Sequence, residues 1–529
     1  MRLQSKLQTI NIAVRAAALS VCLLAAALTL SSCAGHTEAD ISRVLDFGTV
    51  IKGVRVEGID LSGMTRAQAL EATAHIPAET LKDISVTVDV GGEAMSFSAE
   101  ELGVDTDYED VMEYALTYGR KGTIDERSRA AYAAANGLVN FQVNARAIER
   151  KVKSAAAALK ERLERPPIDA GYVFMPSGHL ADGTPYDTNS GGDRVRIAED
   201  KMPNPLRYQY YQTNKYVKNY IPAEAGVSRF WYTPEQSGRS VDIDALAASV
   251  INAVNGKDYS AVAVPVTVLE PSVKSADIER QTQLLSSWTS SYESHDGADR
   301  NYNVAKLSAL INGVVIAPGE TWSINKHAGP RTYEKGWKGA PGIYDGAFVT
   351  APGGGVCQVS STLYNAALRA GLEIVESSRH SIISNYVPVG LDATISTGSK
   401  DLKLRNPYDT PVFIVSFVNA GEKNVTVEIY GPPVVHEKYG EVILDFSSEV
   451  TERTEMPETK VYYRAAKTPD GKPIAPGASR TYKKARRGTT AQVYIHYLSL
   501  DEKELEVKKF YVAKYPKING EKYVNDAPQ

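Results

Sequence analysis

A glycine run delivers a thiol to the start of a helix in Gly353-Gly354-Gly355-Val356-Cys357-Gln358-Val359-Ser360-Ser361-Thr362-Leu363-Tyr364-Asn365. Apolar residues at Val356, Val359, Leu363, Ala366, Ala367 and Ala370 carry a helical period, and Gly371 supplies a stop. The unpaired N–H groups of a first helical turn favour a thiolate, so Cys357 is placed to be a nucleophile. Glycine lets backbone amides approach a reacting oxygen, which makes Gly354 and Gly355, together with the Gln358 side chain, candidates for binding an oxyanion. Downstream, His380 is a candidate general base and Asp392 a carboxylate to orient it, the division of labour in cysteine-dependent acyl transfer. Arg331 and Arg379 could hold a substrate carboxylate through two parallel hydrogen bonds. A second reading stays open: Cys357 as a buried small hydrophobe, His380 as a satisfied sheet residue and Asp392 as a turn former. A metal site from the same three residues lacks a paired-ligand motif. No metal or other cofactor is expected.

Several elements must position these groups. The cysteine helix runs from Val356 to Ala370, and a strand over Leu372 to Glu376 follows it. Upstream, Gly53 to Leu61 alternates as a strand, and Thr65 caps a helix over Arg66 to Ala74. Ser85 to Val90 pairs with Ala94 to Phe97 across Gly91-Gly92. The pattern strand, turn, short strand and acid-opened helix occurs twice, from Phe97 to Val111 and from Trp231 to Leu246, which predicts an internal repeat. The expected organisation is α+β and multidomain, with two related α+β modules over 50–165 and 166–275. The second carries a Gly-, Asn- and Tyr-rich insertion over 182–220. A linker helix is expected within 276–299, the cysteine-bearing α+β domain over 300–433, and a small β module with its tail over 434–529.

The N-terminus addresses the chain to the envelope. Arg2, Lys6 and Arg15 precede an apolar run ending in Leu30-Ser31-Ser32-Cys33, a signal peptide (1–32) with the small residues of a bacterial lipoprotein cleavage site. Cys33 would become the lipidated N-terminus, followed by a polar tether over 33–49, and the bulk of the chain would lie outside the cytoplasm, anchored to the membrane. Of three cysteines, Cys22 leaves with the signal, so Cys357 has no internal disulfide partner. A net charge of −4 carries no nucleic-acid footprint. The Lys483-Lys484-Ala485-Arg486-Arg487 run is a solvated face or a contact for anionic wall polymers.

The segment from Arg300 to Gly431 closely resembles the VanW-like family of glycopeptide-resistance loci and Gram-positive envelopes. The resemblance rests on Pro318-Gly319-Glu320-Thr321-Trp322-Ser323, Gly329-Pro330-Arg331, the Gly353 to Ser360 stretch, Arg379-His380-Ser381 and Gly390-Leu391-Asp392-Ala393-Thr394. The upstream modules resemble the peptidoglycan-binding modules often fused to this domain. The resemblance implies an envelope location and peptidoglycan as partner. Two function classes follow: an anchored peptidoglycan-binding protein of cell-wall metabolism or glycopeptide response, or a cysteine peptidase, amidase or transpeptidase acting on stem peptides.

Overall fold

The computed structural model describes residues 48–179, 228–260, 262–292, 297–344, 346–421 and 423–526. The expected signal peptide with Cys33, nearly all of the expected tether, and the expected 182–220 insertion lie outside the described residues. The chain divides into two compact units, one of residues up to 167 with 237–270, the other of 168–236 with 271–529.

The first unit is built on two apolar cores. Val54, Val56, Leu61, Ala69, Met112 and Ala134 form one. Thr65 caps the Arg66–Thr73 helix with Gln68 answering in a capping box, as the sequence predicts. The second core gathers Val86, Val88, Val90, Phe97, Val152, Leu163, Leu246 and Val250. Strand Ser85–Val90 buries every second residue and pairs antiparallel with Glu93–Ser98. Gly91 and Gly92 make that turn at φ 64° and 91°, a region open to glycine. On its other edge the same strand pairs parallel with Val262–Val264.

This pairing changes the expected division at 165/166. Pro166-Pro167 does follow the Glu149–Leu163 helix, but the Ile243–Gly256 helix and the Val262–Val264 strand contribute to a core begun by residues 84–104. The Val86, Val88 and Val90 face of this strand is buried to 0% exposure, and residues from both expected modules cover it. Residues 168–236 meanwhile belong to the second unit.

In the second unit, strands Gln283–Ser291, Asn424–Gly431, Val412–Asn419 and Val314–Ile316 lie side by side in that order, all antiparallel. The expected 276–299 linker helix is therefore corrected. Helix stops at Gln281, and Gln283–Ser291 is a sheet strand. Leu284, Leu285 and Trp288 mimic helical spacing, but Ser286, Ser287, Thr289 and Ser290 are also buried, and the ladder to Asn424–Gly431 satisfies their backbone. Helices Ala298–Ile311 and Val356–Arg369 cover the sheet with Val304, Leu307, Val359 and Leu363.

The C-terminal segment is a β module, as expected. Strands Ile443–Arg453, Thr489–Leu498 and Glu504–Tyr515 form one antiparallel sheet, and Thr459–Tyr462, Gly520–Val524 and Ser479–Lys483 a second. No core separates it from the cysteine domain at 433/434: Leu444, Phe446, Val493 and Ile495 join the same apolar cluster as Leu363 and Trp288. A buried ion pair crosses there too, with Arg369 Nε donating to Asp445 Oδ1 at 2.7 Å.

Candidate functional site

The Val356–Arg369 helix buries thirteen of its fourteen residues; Cys357, half-buried, is the exception. Such a helix is held from all sides, so its one accessible group is fixed in place. Gly355 caps it at φ 100°, and a side chain there would meet the Arg300 stem. At Gly354 an added Cβ would fall 2.2 Å from the Ala340 carbonyl, so only glycine lets the Gly339–Pro352 hairpin pass this close before the thiol.

The polar residues of the helix do local work that its apolar period hides. Asn365 Nδ2 donates to Leu391 O at 2.7 Å. Ser361 Oγ accepts from Ala393 N at 2.9 Å, and Ser360 Oγ donates to Ala393 O at 2.6 Å. These bonds clamp the 391–394 segment along the helix, with Asp392 at its centre. At the end of the clamp, Thr394 Oγ1 lies 3.3 Å from Cys357 Sγ, and the Ile395 carbonyl lies 3.6 Å away.

Asp392 is fully buried. Its Oδ2 accepts from His380 Nδ1 at 2.6 Å and from the His380 backbone N–H at 2.8 Å. The Tyr515 hydroxyl donates to its Oδ1. The His380 ring and the Cys357 thiol also shift each other's protonation. The structure thus links Cys357, His380 and Asp392 in a chain of interactions, despite the short interval between the first two.

Electrostatics follow from that chain. Burial pushes the Cys357 thiol up, but the His380 hydrogen bond and charge, then Thr394, bring it down to about 7. Burial opposes a charge on His380, and the Asp392 and Cys357 contacts overcome this, raising it to about 9. Burial likewise opposes the Asp392 carboxylate, which His380 nonetheless holds below its ordinary range. Between about pH 7 and pH 9 the pair is thiolate and imidazolium. The alkylation rate of Cys357 with iodoacetamide is expected to rise through about pH 7, and His380→Ala to move that midpoint toward the free-thiol value of about 8.5. An unmoved midpoint in the variant would show that His380 does not set it.

The remaining candidates separate. Gln358 is corrected as an oxyanion donor. Its Oε1 accepts from Arg300 Nη2 at 2.9 Å, and its Nε2 donates to Ser290 Oγ at 3.1 Å inside the core. The Gly354 amide is spent on Ala351 O at 3.2 Å. In the helix's first turn the Val356 N–H donates to Gly353 O at 3.2 Å and the Gln358 N–H to Gly355 O at 3.0 Å, which leaves the Cys357 N–H as that turn's candidate oxyanion donor. Arg379 is likewise committed, its Nη1 to Asp392 O at 2.5 Å and its Nη2 to Tyr364 Oη at 2.7 Å, between the Tyr364 and Tyr511 rings. It braces the carboxylate segment and faces no open cleft with its donors. Arg331 packs against Gly353 and gives one Nη2 bond to Asn325 Oδ1 at 2.7 Å.

The sequence reading missed Thr394, Ser361, Asn365 and Tyr515. Ser361 and Asn365 had a signal: Ser360, Ser361, Thr362 and Asn365 are polar on every face of a helix that also carries an apolar stripe, which requires partners all round. Tyr515 had none, being 123 residues from Asp392. No cluster of metal-ligating side chains is found among the described residues.

A thiol at a helix start beside tight glycines, and a histidine bonded to a buried carboxylate, are groups that can take part in nucleophilic acyl transfer. Comparison with known proteins gives this part of the chain its family. Residues 299–430 match the VanW like protein family and constitute a VanW-like domain. Residues 95–181 match the family described as "Putative peptidoglycan binding domain". The chain is 36% identical over 184 residues to the uncharacterized protein YoaR of Bacillus subtilis, covering 35% of this chain and 60% of that protein. It is 36% identical over 117 residues to the vancomycin B-type resistance protein VanW of Enterococcus faecalis, covering 20% of this chain and 41% of that one. The chain thus spans less than two thirds of either relative. Among solved structures, the crystal structure of HP0197-G5 aligns at 15% identity over 16% of this chain and 99% of the other, with a TM-score of 0.10.

Proposed function

We propose that this protein works in the cell envelope, binding peptidoglycan through its N-terminal unit and using Cys357 to cleave or transfer an amide of the stem peptide. One observation carries the catalytic part: His380 sits between the Cys357 thiol and a buried Asp392 that accepts from its Nδ1 at 2.6 Å. The match over residues 95–181 supports peptidoglycan as partner, and the Enterococcus relative's name supports a role in the glycopeptide response.

The chemistry balances on these residues alone. The Cys357 thiolate attacks the amide carbonyl carbon, and the developing oxyanion is met by the Cys357 N–H at the start of the helix. The C–N bond breaks as the His380 imidazolium gives its proton to the leaving amine, leaving a thioester on Cys357. Neutral His380 then takes a proton from water or an acceptor amine, which attacks the thioester and releases the thiolate beside a restored imidazolium. Asp392 stabilises the charged ring in both halves. The test is intact-mass analysis of the full chain incubated with purified stem peptides. A Cys357 adduct with the mass of the peptide less its leaving amine is expected, and persistent absence of adduct and product across such peptides would leave a binding protein only.

Anchoring through Cys33 belongs to the same proposal. Among the described residues no helix is long and apolar enough to cross a membrane; in this proposal a lipid on Cys33 supplies the attachment. Cys33→Ala should move the protein from the membrane fraction to the supernatant, or leave an unprocessed precursor. An unmodified wild-type protein with an intact Met1 would remove the anchor.

A further inference from the structure

A cleft of about 440 Å³ is lined in part by Asn325, Lys326, Arg331, Thr397, Lys400 and Asp401. It belongs to the same neighbourhood as the nucleophile. Arg331 feels the Cys357 charge, and its stem packs against Gly353, four residues before the thiol. Thr397, whose hydroxyl accepts from the Arg331 backbone N–H at 3.4 Å, lies two residues beyond Ile395, which touches Sγ.

The cleft has an excess of positive charge. Four cations line it, Lys326, Arg331, Lys400 and Lys403, against two carboxylates, Glu376 and Asp401. Both carboxylates are engaged. Glu376 pairs with Lys403 at 2.9 Å. Asp401 accepts from Ser323 Oγ at 2.5 Å and from the backbone N–H groups of Asn325 at 3.1 Å and Leu402 at 2.8 Å.

The decisive atom is Arg331 Nη1. Arg331 is 8% exposed, and its Nη1 is buried without any hydrogen-bond partner. A buried guanidinium donor left unpaired is costly, and a native fold retains one where something absent satisfies it. A carboxylate matches this fork better than any neutral acceptor. Arg379, the other arginine of the site, does not line the cleft and gives its Nη1 and Nη2 to Asp392 O and Tyr364 Oη.

We infer that this cleft is a carboxylate subsite, and that Cys357 acts on amides whose substrate carries a free carboxylate close to the scissile bond, held by Arg331 with Lys326 and Lys400 around it. This rests on the proposed function for its reaction, but not for its binding chemistry. A terminal carboxylate one residue beyond the cleaved amide is the simplest substrate of that class, and blocking it as an amide removes the charge while keeping the shape.

Two probes test it on the full chain at fixed pH and low salt. Iodoacetate and iodoacetamide alkylate the same thiol and differ by a carboxylate. Wild-type protein is expected to favour iodoacetate relative to a free thiol, and Arg331→Gln to reduce that preference about tenfold, with Arg331→Lys between them and melting curves confirming that both variants fold. The same ratio, read on a stem peptide with a free or an amidated C-terminus, is expected to fall by one to two orders of magnitude in Arg331→Gln. An alkylation ratio that is equal in wild type and a folded Arg331→Gln overturns the subsite. A ratio that shifts as expected, with no stem peptide turned over, supports the subsite and overturns the catalytic reading instead.

Discussion

Cys357→Ala and His380→Ala should each remove essentially all acyl transfer to or from stem peptides, a loss of about 10⁴-fold or more, as when any member of a cooperating nucleophile and base is deleted. Neither variant should lose the fold, because Cys357 is the one unburied residue of its helix and His380 bonds the site rather than the main core. Cys357→Ala should also show no covalent adduct by mass. For wild type, turnover should follow a bell. The rising limb near pH 7 marks formation of the thiolate, and the falling limb near pH 9 marks loss of the imidazolium proton needed by the leaving amine. Asp392→Asn should cost about 10²- to 10⁴-fold. Its oxygens accept from the His380 ring, the His380 backbone and Tyr515, and an amide can oppose only some of these donors correctly. Wild-type rates retained in a Cys357→Ala protein would end the mechanism.

Asp445→Ala should be among the most damaging single changes to stability in the second unit. Arg369 lies at 1% side-chain exposure, over the Trp288 ring at 4.0 Å, with Nε on Asp445 at 2.7 Å. Removing the carboxylate strands a guanidinium in the core, at a cost of about 3–5 kcal/mol. Burial pushes the Asp445 carboxyl up even with Arg369 beside it, so the pair is expensive to maintain, and replacing both partners is not the sum of the single losses. Arg369→Met with Asp445→Leu should recover most of the deficit, since two apolar groups leave no buried charge. Denaturant unfolding of the three variants measures this. A single-variant loss below about 1 kcal/mol would mean that water reaches the pair.

How much of this could be read in the sequence depends on the range of the signal. Thr65 with Gln68 and the Gly91-Gly92 turn were legible because a cap and a hairpin are decided within a few residues. The same holds for the glycines before Cys357. Strand Gln283–Ser291 was misread as helix because its partner, Asn424–Gly431, lies far along the chain, while Leu284, Leu285 and Trp288 have helical spacing locally. The grouping of Cys357 with His380 and Asp392 came from residue chemistry. What positions them, a polar helix face gripping residues 391–394 and a tyrosine from the C-terminal sheet, had to be seen in three dimensions. Residue types also could not tell Arg331 from Arg379. Both are arginines beside the site, and only their partners show that one is occupied and the other has a donor to spare.

The Tyr515 bond to Asp392 bears on how such proteins can be rearranged over evolutionary time. The VanW-like match ends at residue 430, yet Tyr515 and the Leu444, Phe446, Val493 and Ile495 side chains lie beyond it. A gene fusion or exchange that cut at the family border would hand on a nucleophile whose carboxylate had lost a donor and whose core had lost a wall. In this chain the intact site therefore needs residues from the helix through the Glu504–Tyr515 strand, a longer stretch than the region that sequence similarity outlines.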